Sequence, residues 1–118
     1  MRLNEVTFTD GTPVDSYGPD FFRVGGELYH GAVLTGPKGT GGWDGYADVA
    51  QLLALADDID VLFIGTGTEI AYIPAALKEA LEEAEIGYEV MNSPAACRTY
   101  NILLAEGRRI AMAALPVT

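Results

Sequence analysis

The chain has 118 residues, with 17 acidic side chains against 7 Lys and Arg, and a net charge of −10. That balance argues against nucleic acid and against an anionic membrane surface as partners, because both require a basic footprint; its simplest consequence is solubility. With 49% hydrophobic and 20% charged residues, the composition excludes a disordered chain and fits one globular domain over residues 1–118.

The first third has β character. Val6 and Phe8 alternate with polar neighbours, and Asp10-Gly11-Thr12-Pro13 supplies a turn. A second strand is expected at Phe21–Val24, followed by a Gly25-Gly26 hairpin loop that permits positive φ angles. Glu27 to Thr35 reads as one strand inside the sheet, since it is apolar on both faces beyond His30. The glycine-rich stretch from Gly36 to Gly42 reads as a loop.

From there the pattern alternates between helix and strand. Val49, Leu52, Leu53 and Ala56 form an amphipathic stripe, Val61–Ile64 a short apolar strand, and Leu77, Ala80, Leu81 and Ala84 a second stripe. Tyr88–Met91 is the next strand. Ser93 is placed to cap a helix that opens with Pro94 and stops at Gly107. Arg109–Leu115 closes the chain as an apolar strand. The expectation is a compact α/β domain with a mixed sheet: N-terminal antiparallel strands, then an alternating helix–strand parallel unit.

In such sheets ligands bind beyond the carboxyl ends of the parallel strands. Two of these ends would face each other, so Thr66, Gly67, Thr68, Asn92, Ser93, Cys97 and Arg98 line one expected crevice. Hydroxyls, helix-start N–H groups, a thiol and a guanidinium suit a small anion or carboxylate. The alternative is that these groups only cap helices and satisfy turns. Cys97 is the one cysteine, which rules out an internal disulfide and favours a reducing compartment. Early in a helix and beside Arg98, its sulfur is the one candidate nucleophile, but no general base accompanies it and small apolar packing is the competing role. Among Arg98, Thr99, Tyr100 and Asn101, consecutive on a helix, at least one polar group must face inward and find a partner.

Other chemistries fail on spacing. Gly65-Thr66-Gly67 has Ile70 where a dinucleotide loop needs its third glycine, and Gly31 to Lys38 lacks the Gly-Lys-Ser/Thr ending of a phosphate loop. His30 has no second histidine for a metal site, and Asp57, Asp58 and Asp60 fit a solvated connection. No cofactor or metal is expected. Trp43 after the glycine stretch is either a lid on buried apolar surface or, if exposed, a partner-binding residue. Met1 to Asp10 lacks the pattern of a signal peptide, and no apolar run nears the roughly 20 residues that span a bilayer, so a cytoplasmic location without membrane insertion is expected.

Ala95-Ala96-Cys97-Arg98-Thr99-Tyr100-Asn101-Ile102-Leu103-Leu104-Ala105-Glu106-Gly107-Arg108, with the Ala-rich last strand, carries a resemblance. So do Ser16-Tyr17-Gly18, Trp43, and Leu62-Phe63-Ile64-Gly65-Thr66-Gly67 followed by Pro74. Together they resemble a small family of unknown function that includes mitochondrial complex I assembly factor 3 and the adipogenesis-associated proteins. The resemblance implies an α/β fold with mixed strands and hands over no catalytic residues. It also implies a protein partner, with subunits of a membrane complex as candidates, and so a non-enzymatic interaction or assembly module. A ligand-binding protein or enzyme using the crevice is the competing reading.

Overall fold

The computed structural model describes residues 11–118; the expected strand around Val6 and Phe8 lies outside them. Three antiparallel strands come first: β1 (Val14–Gly18), β2 (Phe21–Val24) and β3 (Glu27–His30). Val24 pairs with Glu27 across Gly25 and Gly26, whose φ angles of 59° and 82° are those of a type I′ turn.

A second sheet holds β4 (Val33–Gly36), β5 (Gly39–Gly42), β6 (Val61–Thr66), β7 (Gly87–Met91) and β8 (Ile110–Leu115) in the order β5-β4-β8-β6-β7. β8 pairs parallel with β6 and antiparallel with β4, and β6 pairs parallel with β7. The sheet is therefore mixed, with its parallel unit in the second half of the chain.

Two strand expectations need correction. Glu27 to Thr35 is not one strand: Gly31, at φ 82°, breaks it. β3 then stays with the small sheet while β4, wholly buried, enters the large one. Gly39–Gly42 is not a loop but an edge strand, with Thr35 opposite Thr40 and their hydroxyls 2.7 Å apart. A buried neighbour offering a row of backbone groups outweighs the poor strand preference of glycine.

Side chains on the two faces of β8 divide the core. Ile110, Met112 and Ala114 face the helix α3 (Ser93–Ala105) together with Phe63, Phe22 and Tyr100. Ala111 and Ala113 face the other way, toward Leu52 of α1 (Val49–Leu53) and Leu77 and Leu81 of α2 (Ala75–Glu83). A strand covered on both faces must be apolar along its whole length, which accounts for Ile-Ala-Met-Ala-Ala-Leu. Each fully buried large side chain contributes about 1.5–3 kcal/mol relative to its exposed state.

Helix α3 begins one residue earlier than its sequence suggests. Asn92 is the N-cap, and its side chain accepts from Ala95 N–H at 2.8 Å; Ser93 is already helical. At the other end Gly107, at φ 79°, and Arg108 donate back to Leu104 O and Leu103 O, both at 3.0 Å, closing the helix where Gly107 marks its stop.

Candidate functional site

The carboxyl ends of β6 and β7 are neighbours, so Thr66–Thr68 and Asn92–Ser93 do meet. They meet as a latch. Gly67 N–H donates to Ser93 Oγ at 2.9 Å, and Ser93 N–H donates to Gly67 O at 2.8 Å. Ser93 Oγ in turn donates to Leu115 O at the end of β8, so one buried hydroxyl joins the ends of three structural elements. Gly65 makes this approach possible: a Cβ there would sit 2.7 Å from Ser93 Oγ and 2.9 Å from Ala114 Cβ.

Neighbouring groups are engaged in the same way. Thr66 Oγ1 donates to Glu69 O at 2.7 Å, lies 3.3 Å from Met91 O and accepts from Ala71 N–H at 3.2 Å. Thr68 Oγ1 lies 3.2 Å from Thr118 Oγ1 and accepts from Thr118 N–H at 3.0 Å. Asn92 caps its helix. Among the described residues, no buried side-chain nitrogen or oxygen lacks a hydrogen-bond partner. The Gly67, Ser93, Ala95 and Ala96 N–H groups, which could have met an anion, thus already serve acceptors within the protein.

Cys97 and Arg98 part company. Cys97 is 4% exposed among Phe63, Ala96 and Tyr100, and burial pushes its thiol up to about 12. That is the opposite of the acidification a nucleophile needs, because burial strips the thiolate of water. Arg98 lies on the exposed side of the helix. The inward-facing polar residues are Tyr100 and Asn101. Tyr100, fully buried, donates to Thr12 O at 3.1 Å, and burial raises its hydroxyl pKa more than its hydrogen bonds to Thr35 and Thr12 lower it. Asn101 holds both backbone groups of Val14, donating to Val14 O and accepting from Val14 N–H, each at 2.8 Å. These two residues tie the start of β1 and the residues just before it to α3, which packs on β6 and β8 of the large sheet.

Trp43 is buried at 3% exposure; its indole donates to Asp48 O at 3.1 Å and meets Tyr46 edge-on. It therefore sits where the core under α1 needs a lid. His30 is exposed at the end of β3. Asp58 pairs with Lys38 at 3.2 Å, Asp60 with Arg109 at 3.7 Å. Among the described residues no group of three His, Cys, Asp or Glu side chains lies close enough to hold a metal ion.

An apolar surface feature lies elsewhere, in the segment from β6 to α2. Tyr72 is 100% exposed and Ile70 66%. With Ile73, Tyr88, Val90 and Lys78 they line an open groove of about 720 Å³. The sequence carried a signal for it: Ile70-Ala71-Tyr72-Ile73 is an apolar run that belongs to neither flanking periodic element and stops at Pro74.

Comparison with known proteins identifies the family. Residues 14–115 match the model of a family described as proteins of unknown function, DUF498/DUF598. The chain belongs to this family. A protein of Rhodobacter capsulatus is 40% identical over 117 residues, covering 99% of this chain and 94% of its own length. NADH dehydrogenase (ubiquinone) 1 alpha subcomplex assembly factor 3 of Danio rerio is 31% identical over 113 residues, covering 90% of this chain but 65% of that protein. Among solved structures, one described as an outer membrane protein from Bartonella henselae superposes with a TM-score of 0.84 at 35% identity, covering 95% of this chain and all 100% of its own. Within the described residues no helix is long and apolar enough to cross a membrane, a statement that concerns helices alone.

Proposed function

We propose that this protein is a non-enzymatic interaction module that helps assemble a protein complex, similar in role to the respiratory-complex assembly factors it resembles. The observation that carries this reading is the apolar surface at Ile70–Ile73, where a tyrosine stands wholly in solvent. Solvated side chains of that kind, grouped beside a groove, are the usual mark of a protein contact. The assembly factor of Danio rerio, named for a subcomplex of NADH dehydrogenase, supports a partner among the subunits of a respiratory complex. The net charge of −10 favours basic partner surfaces, and no nucleic acid.

The competing reading, an anion-binding crevice or enzyme at Thr66–Thr68 and Asn92–Arg98, is weakened by the internal hydrogen bonds of those residues and by the raised pKa of Cys97. Affinity capture of the tagged chain from its own cells tests the proposal. A stoichiometric protein partner is expected, and its loss on substitution of Tyr72 ties that partner to this surface.

A further inference from the structure

Strand β7 forms one border of the five-stranded sheet, and among the described residues it pairs with β6 alone. A border strand offers backbone N–H and C=O groups to any strand laid beside it. Alternate residues of β7 differ in chemistry. Tyr88 and Val90 belong to the face that lines the apolar groove with Ile70, Tyr72 and Ile73. Glu89, exposed, belongs to the opposite face. Glu82 of α2 lies on the groove side instead, where it accepts from the Tyr88 hydroxyl at 3.0 Å. Lys78 is the one basic residue of the groove lining. Its apolar stem can lie along a ligand while the ammonium stays in water.

We infer that the β7 edge takes an extended segment of a partner protein, in which apolar residues alternate with Lys or Arg, as a sixth strand of the sheet. This deepens the assembly reading and rests on it. Alternation sends the apolar side chains into the groove beside Tyr88 and Val90 and the basic ones onto the face of Glu89. Main-chain hydrogen bonds hold such a segment, and the groove and Glu89 select it. A second copy of the chain is the poorer occupant. Two-fold pairing of β7 with itself, centred on its middle residue, sets Glu89 against Glu89 between two molecules that each carry −10.

The test titrates the full chain with a synthetic peptide of alternating Lys and Val, and with the same residues in blocks. The alternating peptide should bind, and more weakly as salt rises. Glu89→Lys, an exposed change checked by circular dichroism, should weaken it about tenfold. N-methylation of one alternate set of peptide residues should abolish binding, and of the other set spare it, because a strand faces its neighbour with every second residue. Equal binding of the block peptide, no effect of Glu89→Lys, or equal effects of both methylated sets would overturn the inference. So would a dimer held through β7. Capture from cells separates this inference from the reading it rests on. A partner retained by both wild type and Glu89→Lys overturns the edge and leaves the assembly role. No partner for either, with specific peptide binding intact, does the reverse.

Discussion

Gly67 and Ser93, 26 positions apart, exchange hydrogen bonds in both directions: the Gly67 amide to the Ser93 hydroxyl and the Ser93 amide to the Gly67 carbonyl. The pair fastens the start of α3 to the end of β6, where a ligand crevice was expected. Ser93→Ala leaves the buried Gly67 amide without its acceptor. A loss of about 2 kcal/mol is expected, roughly 8 °C in Tm, with no loss of partner capture at a temperature where the variant is folded. Thermal unfolding followed by circular dichroism checks it.

Gly65→Ala should cost more. The added methyl meets Ser93 Oγ, Ala114 Cβ and, at 3.0 Å, Ser93 Cα, all in the packed elements α3 and β8. Overpacking of this kind costs about 1–3 kcal/mol and can exceed it where backbone must move. Combining it with Ser93→Gly, which removes the hydroxyl it strikes, should recover only part of the loss. Denaturant midpoints of the single and double variants measure this.

Asn101 grips the backbone of Val14 across 87 positions of sequence. Asn101→Ala removes both bonds at once. About 2 kcal/mol of stability should be lost, and hydrogen exchange should quicken in β1 and β2 before it does in β6 and β8. Uniform quickening would contradict the role assigned to this clamp.

Cys97 should be slow to react. Its buried thiol has its pKa raised from 9.0 to about 12, so the folded chain holds the proton in a range where the unfolded chain releases it. Above pH 9 the unfolded state binds fewer protons, and the contribution of this residue to stability falls by about 1.4 kcal/mol per pH unit until the folded thiol itself ionises near 12. Wild type should therefore lose stability between pH 9 and 11 faster than Cys97→Ala. Thiol labelling at pH 8 should proceed at the rate of unfolding; labelling as fast as that of a free thiol would contradict the burial.

The sequence makes the second half of the fold legible, because Leu77, Leu81 and their neighbours repeat at helical spacing and Gly107 stops α3 as it should. The apposition of Thr66–Thr68 with Asn92–Ser93 was legible too. What those residues do was not, since a hydroxyl that latches a helix and one that binds an anion look alike in one dimension. β5 escaped because its four residues, Gly-Thr-Gly-Gly, owe their strand to β4 rather than to themselves. The cap of α3 was misplaced by one residue because Asn92 and Ser93 are both good capping residues. The groove at Ile70–Ile73 leaves no periodic signature in the sequence, because its residues follow neither helical nor strand spacing.

Capture with Ile70→Asp/Tyr72→Asp tests the central claim most directly. Both side chains are exposed, so the double variant should unfold within a degree or two of wild type. Tagged wild type should bring down a stoichiometric protein partner from its own cells, and the double variant at equal abundance should lose most of it. Retention of that partner by a folded double variant would contradict the assignment of function to this surface.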